Sequence, residues 1–158
     1  MGEGLSEKDF NHDGTTEQRK KKLVHDPIPE LVESYATKVL DAAFLVHRNL
    51  GPGLLESVYE HCLCLELKRA NIEFTQQATL PIVYDGEQID AGLRLDVLVA
   101  DSLIVELKAV DALLPIHEAQ LFTYLKLTNN RLGLLIIFNV SLLKEGIKRV
   151  VKQPLPVS

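Results

Sequence analysis

The sequence predicts an α/β domain in which helices flank a mixed β-sheet. Apolar residues recur at helical spacing in the first part of the chain after residue 26, and they alternate with polar residues after Asn71. The length of 158 residues and the apolar fraction of 46% are those of one globular domain, which buries a core without disulfides or metals. The predicted element order is α-α-β-β-β-α-β-α.

Two amphipathic helices are predicted at the beginning of the domain. The first covers residues 30–49, where apolar residues recur three or four positions apart: Leu31, Tyr35, Val39, Ala42, Ala43 and Val46. Gly51-Pro52-Gly53 ends this helix, because glycine suits a left-handed cap and proline cannot continue a helix. A second helix is predicted from about residue 54 to residue 70.

Three strands are predicted next, with apolar residues at alternate positions. They cover residues 79–84, 88–99 and 103–109. Asp85-Gly86 is a hairpin turn signal between the first two strands, and Asp101-Ser102 lies in a tight turn before the third.

The C-terminal part of the domain is predicted to be helix, strand and helix. Pro115 favours the first turn of a helix over residues 115–128, which Asn129-Asn130 ends. Residues 132–139 form a buried apolar strand, and Ser141 caps a last helix that ends at about residue 151.

The sequence divides into one domain, residues 27–153, between two tails. Residues 1–26 contain few apolar residues at any period and are predicted to be a mobile polar tail, and residues 154–158 form a short C-terminal tail. A basic run from Arg19 to Lys22 either contacts phosphates or is a solvated charged stretch.

Composition excludes several classes of protein. A net charge of −5 argues against a protein that binds nucleic acid indiscriminately through charge alone. No apolar run approaches the roughly 20 residues that a membrane helix needs, and no basic-then-apolar leader opens the chain. Cys62 and Cys64 are too close for an ordinary disulfide and too few for a zinc site. We therefore expect a cytoplasmic protein with inert cysteines.

Charged residues interrupt the otherwise apolar second and third strands. Alternation places Glu106 and Lys108 on one face of the third strand, and Arg94 and Asp96 on one face of the second. The other face of the second strand is predicted to be apolar, with four residues: Leu93, Leu95, Val97 and Val99.

The loop between these two strands predicts which residues are neighbours. In an antiparallel hairpin, a three-residue loop over 100–102 keeps polar residues opposite polar residues, whereas a two-residue loop mixes polar with apolar. The three-residue register places Asp96 beside Glu106 and Arg94 beside Lys108.

Two carboxylates side by side, flanked by two cations, point to phosphodiester chemistry. Adjacent carboxylates repel each other unless a proton or a cation lies between them. Mg²⁺ takes oxygen ligands and keeps several waters, and a nearby lysine orients an attacking water and offsets charge at phosphorus. The alternative is a cross-strand salt bridge on an exposed sheet face.

The same residues resemble the PD-(D/E)XK nuclease superfamily. Its pattern is matched by Asp96, then by Glu106-Leu107-Lys108, and then by a helix with Gln120. More narrowly, residues 53–59, Gly-Leu-Leu-Glu-Ser-Val-Tyr, resemble the motif of the GxxExxY protein family. The resemblance covers about residues 31–151 and implies a restriction-endonuclease-like core.

The resemblance implies a role for each matching residue. It gives the metal four candidate ligands: Asp96, Glu106, Leu107 through its carbonyl, and Glu56 directly or through water. Lys108 would be the catalytic lysine, and Gln120 would lie beside it.

Three further residues are candidates for substrate binding. Arg94 either holds a phosphate or pairs with a carboxylate. Tyr59 either contacts substrate or packs in the core with its polar tip bonded. Tyr124 shares a helix face with His117 and Gln120, and this face either lines the cleft or is ordinary surface.

Other polar roles are predicted to be structural. A carboxylate such as Glu56 in a first helical turn also interacts favourably with the helix dipole. Glu60 is expected at the surface, and His47 is expected to make a structural hydrogen bond.

These observations predict a nuclease that uses Mg²⁺ (or Mn²⁺) to hydrolyse nucleic-acid phosphodiester bonds, with DNA favoured over RNA. The expected partner is nucleic acid rather than a membrane, and a homo-oligomer is compatible with the sequence. One alternative is a non-catalytic module with the nuclease fold that binds nucleic acid or a protein. Another is hydrolysis of a different phosphate compound.

Overall fold

The computed structural model describes residues 26–154 of the chain. Within this range the helices are α1 (Glu30–Leu50), α2 (Glu56–Arg69) and α3 (Pro115–Thr128). The strands are β1 (Phe74–Thr79), β2 (Ile82–Tyr84), β3 (Glu87–Ile89), β4 (Arg94–Val99), β5 (Leu103–Lys108), β6 (Leu132–Ile137) and β7 (Ile147–Val151). The predicted tails, residues 1–26 and 154–158, lie outside the described residues except for Asp26 and Pro154.

Five of the strands form one mixed sheet in the order β1-β4-β5-β6-β7. Strands β5 and β6 are parallel and are joined through α3, whereas the other neighbours are antiparallel. Strands β2 and β3 form a separate two-stranded ribbon around the turn at Asp85-Gly86. The predicted fold class, a mixed sheet flanked by helices, is confirmed.

Apolar layers cover both faces of the sheet. On one face, Leu63 of α2 packs in a core that includes Val105 and Leu134. On the other face, Leu125 of α3 packs with Ile104. Strands buried on both faces have nearly continuous apolar sequences, which explains why β5 and β6 show little alternation. In the described part of the chain, the helices are too short or too polar to cross a bilayer.

The three helices begin and end within two residues of the predicted positions, but the first two predicted strands are divided differently. The chain is already extended from Phe74, and β1 ends before Leu80-Pro81. Proline cannot donate to a ladder, and Leu80 instead donates its N–H to the Leu93 carbonyl at 2.9 Å. The predicted strand over 88–99 is interrupted near Gly92, whose φ is +66°.

The last predicted helix, over residues 141–151, is wrong. A short 3₁₀ turn, Leu143–Gly146, leads instead into β7, which pairs with β6 along its whole length. Gly146 allows this turn to lie against the sheet, since a Cβ at this position would be 2.2 Å from the Ile137 carbonyl oxygen. Pairing with the free edge of β6 therefore decides the conformation of this segment.

Candidate active site

The hairpin of β4 and β5 has the register that the three-residue loop predicts. Backbone pairing continues only as far as Val97 opposite Val105. Beyond it, the backbone N–H of Asp96 donates to Glu106 Oε1 at 3.1 Å. In return, the backbone N–H of Leu107 donates to Asp96 Oδ2 at 2.9 Å. Each carboxylate is thus held by the other strand's backbone, and the two acids lie together as predicted.

The predicted apolar face of β4 is wrong at Leu95. This residue packs with Ile104 on the α3 side of the sheet, whereas Val97 and Val99 pack on the α1 and α2 side. Leu93 also packs on the α3 side. Strict alternation fails at the level where the ladder between β4 and β5 ends, and Leu95 and Arg94 remain paired only with β1.

The neighbouring strand β1 turns at the same level. Gln76 pairs with Val97 and Ala78 pairs with Leu95, so Gln77 lies opposite Asp96. Gln77 has a φ of +52°, in the left-handed region that non-glycine residues rarely adopt. A single left-handed residue here redirects the following side chains of the strand.

Glu106 is the most strongly perturbed acid of the site. It is 4% exposed. Burial and the neighbouring carboxylate of Asp96 together raise the pKa of Glu106 to about 9, and Lys108 offsets only part of this effect. Without a cation, burial and the Asp96 carboxylate therefore favour the protonated form of Glu106 at neutral pH.

Glu56 reaches the same site from the first turn of α2. Its Oε2 accepts the backbone N–H of Ala109 at 3.2 Å, just after the end of β5. Partial burial raises the pKa of Glu56, with a smaller contribution from Asp96 in the same direction and an opposing one from Lys108. Glu56 therefore lies in the first turn of α2, where a carboxylate interacts favourably with the helix dipole, and also close to Asp96.

Helix α3 brings Tyr124 towards the acids from the other side. Tyr124 is buried, and its pKa is raised first by burial and then by Glu106 and Asp96. The side chain of Gln120 lies beside the hydroxyl and offsets part of this shift. His117 instead accepts the Leu114 N–H with Nδ1 at 3.1 Å, at the beginning of the helix.

The hypothesis that Tyr59 contacts a substrate is wrong. Its side chain is fully buried, and its ring stacks on Phe138 with 4.5 Å between centroids. The hydroxyl donates to the Gly51 carbonyl at 2.6 Å and accepts the Leu54 N–H at 3.1 Å. Tyr59 therefore holds the turn that precedes Glu56.

Arg94, Lys108 and His47 are also placed by the structure. Arg94 is exposed at the beginning of β4, and the ion pairs found among residues 26–154 do not include it. Lys108 is partly buried, and its positive charge lowers the pKa of both Glu56 and Glu106.

His47 has the structural role that the sequence predicts. Its Nε2 lies 2.7 Å from the Val140 carbonyl oxygen, which confirms the hydrogen bond.

Glu60 is buried, and the expectation that it lies at the surface is wrong. Its Oε1 accepts the side-chain N–H of Gln77 at 2.6 Å, and its Oε2 accepts that of Gln76 at 2.8 Å. The sequence feature that indicated this position is spacing, since a residue four positions after Glu56 shares its helix face.

Cys64 is inert at neutral pH. Burial raises the pKa of its thiol to about 12, with contributions from the charges of Glu60 and Asp96.

The donor set of the site fits a hard divalent cation. Among residues 26–154, no three His, Cys, Asp or Glu side chains are arranged to hold a metal by themselves. Asp96 and Glu106 provide two carboxylates, and Mg²⁺ is commonly held by one or two carboxylates with water in its other positions. A cation between the two carboxylates would offset their repulsion, which together with burial raises the pKa of Glu106.

A mixed sheet flanked by helices, with α3 crossing between its parallel strands, is the architecture of a restriction-endonuclease-like domain. A family model described as the PD-(D/E)XK nuclease superfamily matches residues 33–150. The chain therefore belongs to the PD-(D/E)XK nuclease superfamily. No curated protein and no solved structure matches the chain significantly.

Proposed function

We propose that this protein is a Mg²⁺- or Mn²⁺-dependent nuclease that hydrolyses phosphodiester bonds of nucleic acid, with DNA as the preferred substrate. The observation that carries this proposal is the reciprocal bonding of Asp96 and Glu106. Each acid accepts a backbone N–H at the other strand, at 2.9 Å and 3.1 Å. Two carboxylates that repel each other are thereby kept together next to Lys108.

The metal would be held by Asp96 and Glu106 with the Leu107 carbonyl, and Glu56 would bind it through water. When bound, a divalent ion supplies positive charge that lowers the pKa of water and offsets charge at phosphorus. Lys108 lies close enough to affect both Glu56 and Glu106, and we assign it to orienting the attacking water.

The remaining residues form the surroundings of the reaction. Gln120 and Tyr124 lie on the α3 side of the acids, where Gln120 is exposed beside the Tyr124 hydroxyl. We assign Gln120 to positioning Lys108 and Tyr124 to the cleft wall. Arg94 is exposed at the first position of β4, and we assign it to a substrate phosphate.

Within the superfamily, we place the chain in the GxxExxY group, because the glycine and the tyrosine of that motif both stabilise the turn before α2. Gly53 adopts a φ of +100°, which favours glycine. Tyr59 bonds the turn on both sides, at Gly51 and Leu54. The glycine and the tyrosine of the motif thus fix the turn from which its glutamate, Glu56, enters the site.

The test is cleavage of plasmid and oligonucleotide DNA and of RNA in Mg²⁺ and in Mn²⁺. We expect Glu106→Ala and Lys108→Ala to reduce cleavage by about 10² to 10⁴, while Glu73→Gln, at an exposed acid directly before β1, leaves it unchanged. Isothermal titration should show Mn²⁺ binding in the parent and none in Asp96→Ala. Cleavage by Glu106→Ala or Lys108→Ala at the parent rate contradicts the mechanism.

The same experiment separates the other candidate functions. A parent protein that binds nucleic acid without metal and cleaves no substrate is a binding module. Turnover of other phosphate esters but not of DNA or RNA contradicts the nucleic-acid substrate.

A further inference from the structure

Glu60 is a buried acid to which the proposed mechanism gives no part. It lies one helical turn after Glu56 and is 8% exposed. A buried carboxylate is unfavourable unless it is hydrogen-bonded, and each oxygen of Glu60 accepts one amide N–H, from Gln76 and from Gln77. Both partners belong to the edge strand β1, so Glu60 joins α2 to that strand.

The amide of Gln77 also contacts the site. Its Nε2 lies 2.6 Å from Glu60 Oε1 and 3.4 Å from Asp96 Oδ1. An amide nitrogen has two hydrogens, so one group can donate to both carboxylates. The other oxygen of Asp96 accepts the Leu107 N–H. The Asp96 carboxylate is therefore bonded at both oxygens, by β5 on one side and by Gln77 on the other.

The backbone of Gln77 indicates that this contact is imposed by the surroundings. Its φ of +52° is unfavourable for a side chain other than glycine, asparagine or aspartate. Such a conformation persists where the free energy of neighbouring contacts outweighs its cost. The contact that holds the side chain of Gln77 is the short bond to Glu60, on the helix that also carries Glu56.

We infer that Glu60 is a positioning residue, which holds the Gln77 amide against Asp96 and so fixes the direction of the Asp96 carboxylate. The effect on metal binding rests on the proposed function. A merely structural Glu60 would anchor β1 to α2 equally through Gln76 and Gln77. A positioning Glu60 acts on the metal ligand through Gln77, because Gln77 is the partner that also contacts Asp96.

The amide bridge is tested first in the metal-free protein, by NMR of the glutamine side-chain amides. We expect the Gln77 amide signals to shift in both Glu60→Gln and Asp96→Ala. The Gln76 amide should shift in Glu60→Gln and stay unchanged in Asp96→Ala. An unchanged Gln77 amide in either variant overturns the bridge, whatever the protein's activity.

The consequence for the site is tested by Mn²⁺ titration and by cleavage kinetics. Loss of a group that orients a metal ligand typically weakens metal binding 10- to 100-fold. We expect such a loss of Mn²⁺ affinity in Glu60→Gln and Gln77→Ala, with a lower kcat and an unchanged KM for an oligonucleotide. Gln76→Ala should have a smaller effect, and the exposed control Glu73→Gln none. Urea unfolding of each variant separates these losses from misfolding.

The outcomes distinguish this inference from the proposed function. Mn²⁺ affinities of Glu60→Gln and Gln77→Ala within twofold of the parent overturn the positioning role. If Glu60→Gln does not fold, Gln77→Ala decides, because the Gln77 side chain is exposed. If the parent binds no Mn²⁺, the proposed function fails, and the amide signals still decide whether Glu60 holds Gln77 against Asp96.

Discussion

The carboxylate of Glu56 and the backbone N–H of Ala109 are 3.2 Å apart, and this contact joins the first turn of α2 to the end of β5. The two residues are far apart in the chain. Their contact brings Glu56, which follows the turn at Gly53, to the strand that carries Glu106 and Lys108. Helix and hairpin therefore contribute to one site.

Substitution of Glu56 separates its hydrogen bond from its charge. Glu56→Gln retains an oxygen that accepts the Ala109 N–H. We therefore expect its free energy of unfolding, measured in urea, to be within about 1 kcal/mol of the parent's. Cleavage should nevertheless fall about 10- to 100-fold, since the charge near the proposed metal site is lost. Glu66→Gln on the same helix serves as the control. Cleavage by Glu56→Gln at the parent rate would show that Glu56 only holds the end of β5 through its hydrogen bond to Ala109.

The stability of the metal-free protein should depend on pH through Glu106. Its pKa is raised from 4.5 to about 9 in the folded protein, so the folded state binds the proton more tightly than the unfolded state. This contribution is complete below about pH 4.5 and is lost as pH rises towards 9, with a slope of up to about 1.4 kcal/mol per pH unit. Urea unfolding from pH 5 to 9 measures the slope.

The variant Glu106→Gln identifies the source of this dependence. It has no proton to lose, so we expect its stability to vary less over the same pH range. Mg²⁺ should stabilise the parent increasingly as pH rises, because the cation competes with the proton on Glu106. An equal slope in the parent and in Glu106→Gln would contradict this assignment.

Removal of the Tyr59 hydroxyl tests the turn before α2. Tyr59→Phe retains the ring stack on Phe138 and leaves the Gly51 carbonyl and the Leu54 N–H without their partner. We expect a loss of about 1–3 kcal/mol in the free energy of unfolding, together with slower cleavage because Glu56 follows this turn. Tyr84→Phe, at an exposed tyrosine, should change stability by less than about 0.5 kcal/mol.

A methyl group at Gly146 should weaken the packing of the turn before β7. Its Cβ would lie 2.2 Å from the Ile137 carbonyl oxygen, a backbone atom that cannot move away alone. We expect Gly146→Ala to lower the free energy of unfolding by about 3 kcal/mol. Gly133→Ala should be milder, because its nearest neighbours are side-chain atoms of Leu121. Thermal unfolding of both variants compares them, and equal losses would contradict this reasoning.

Much of the fold follows from local sequence. The helices were predictable because apolar spacing, Gly51-Pro52-Gly53, Pro115 and Asn129 act within a few residues. The register of the β4–β5 hairpin was predictable because a one-residue slip would exchange its polar and apolar faces. The proximity of Asp96 to Glu106 follows from that register.

Other features depend on contacts that no local pattern encodes. Residues 147–151 form a strand because β6 offers an open edge, and this pairing outweighs the helix cap that Ser141 indicated. The core position of Tyr59 depends on Phe138, which is distant in the chain. The spacing of Glu60 from Glu56 indicated only a shared helix face, because the partners that bury Glu60, Gln76 and Gln77, lie on another element.

The sequence by itself determined the superfamily pattern, the helices and the hairpin that brings Asp96 beside Glu106, because each of these depends on spacing within a short stretch of chain. The tertiary structure decided which acids share the site. Glu56 reaches it, and Glu60 contacts it through Gln77, only because α2 packs against the sheet at β1 and β5. The pKa of Glu106 is likewise a tertiary property, because burial and a neighbouring charge arise only when the chain is folded.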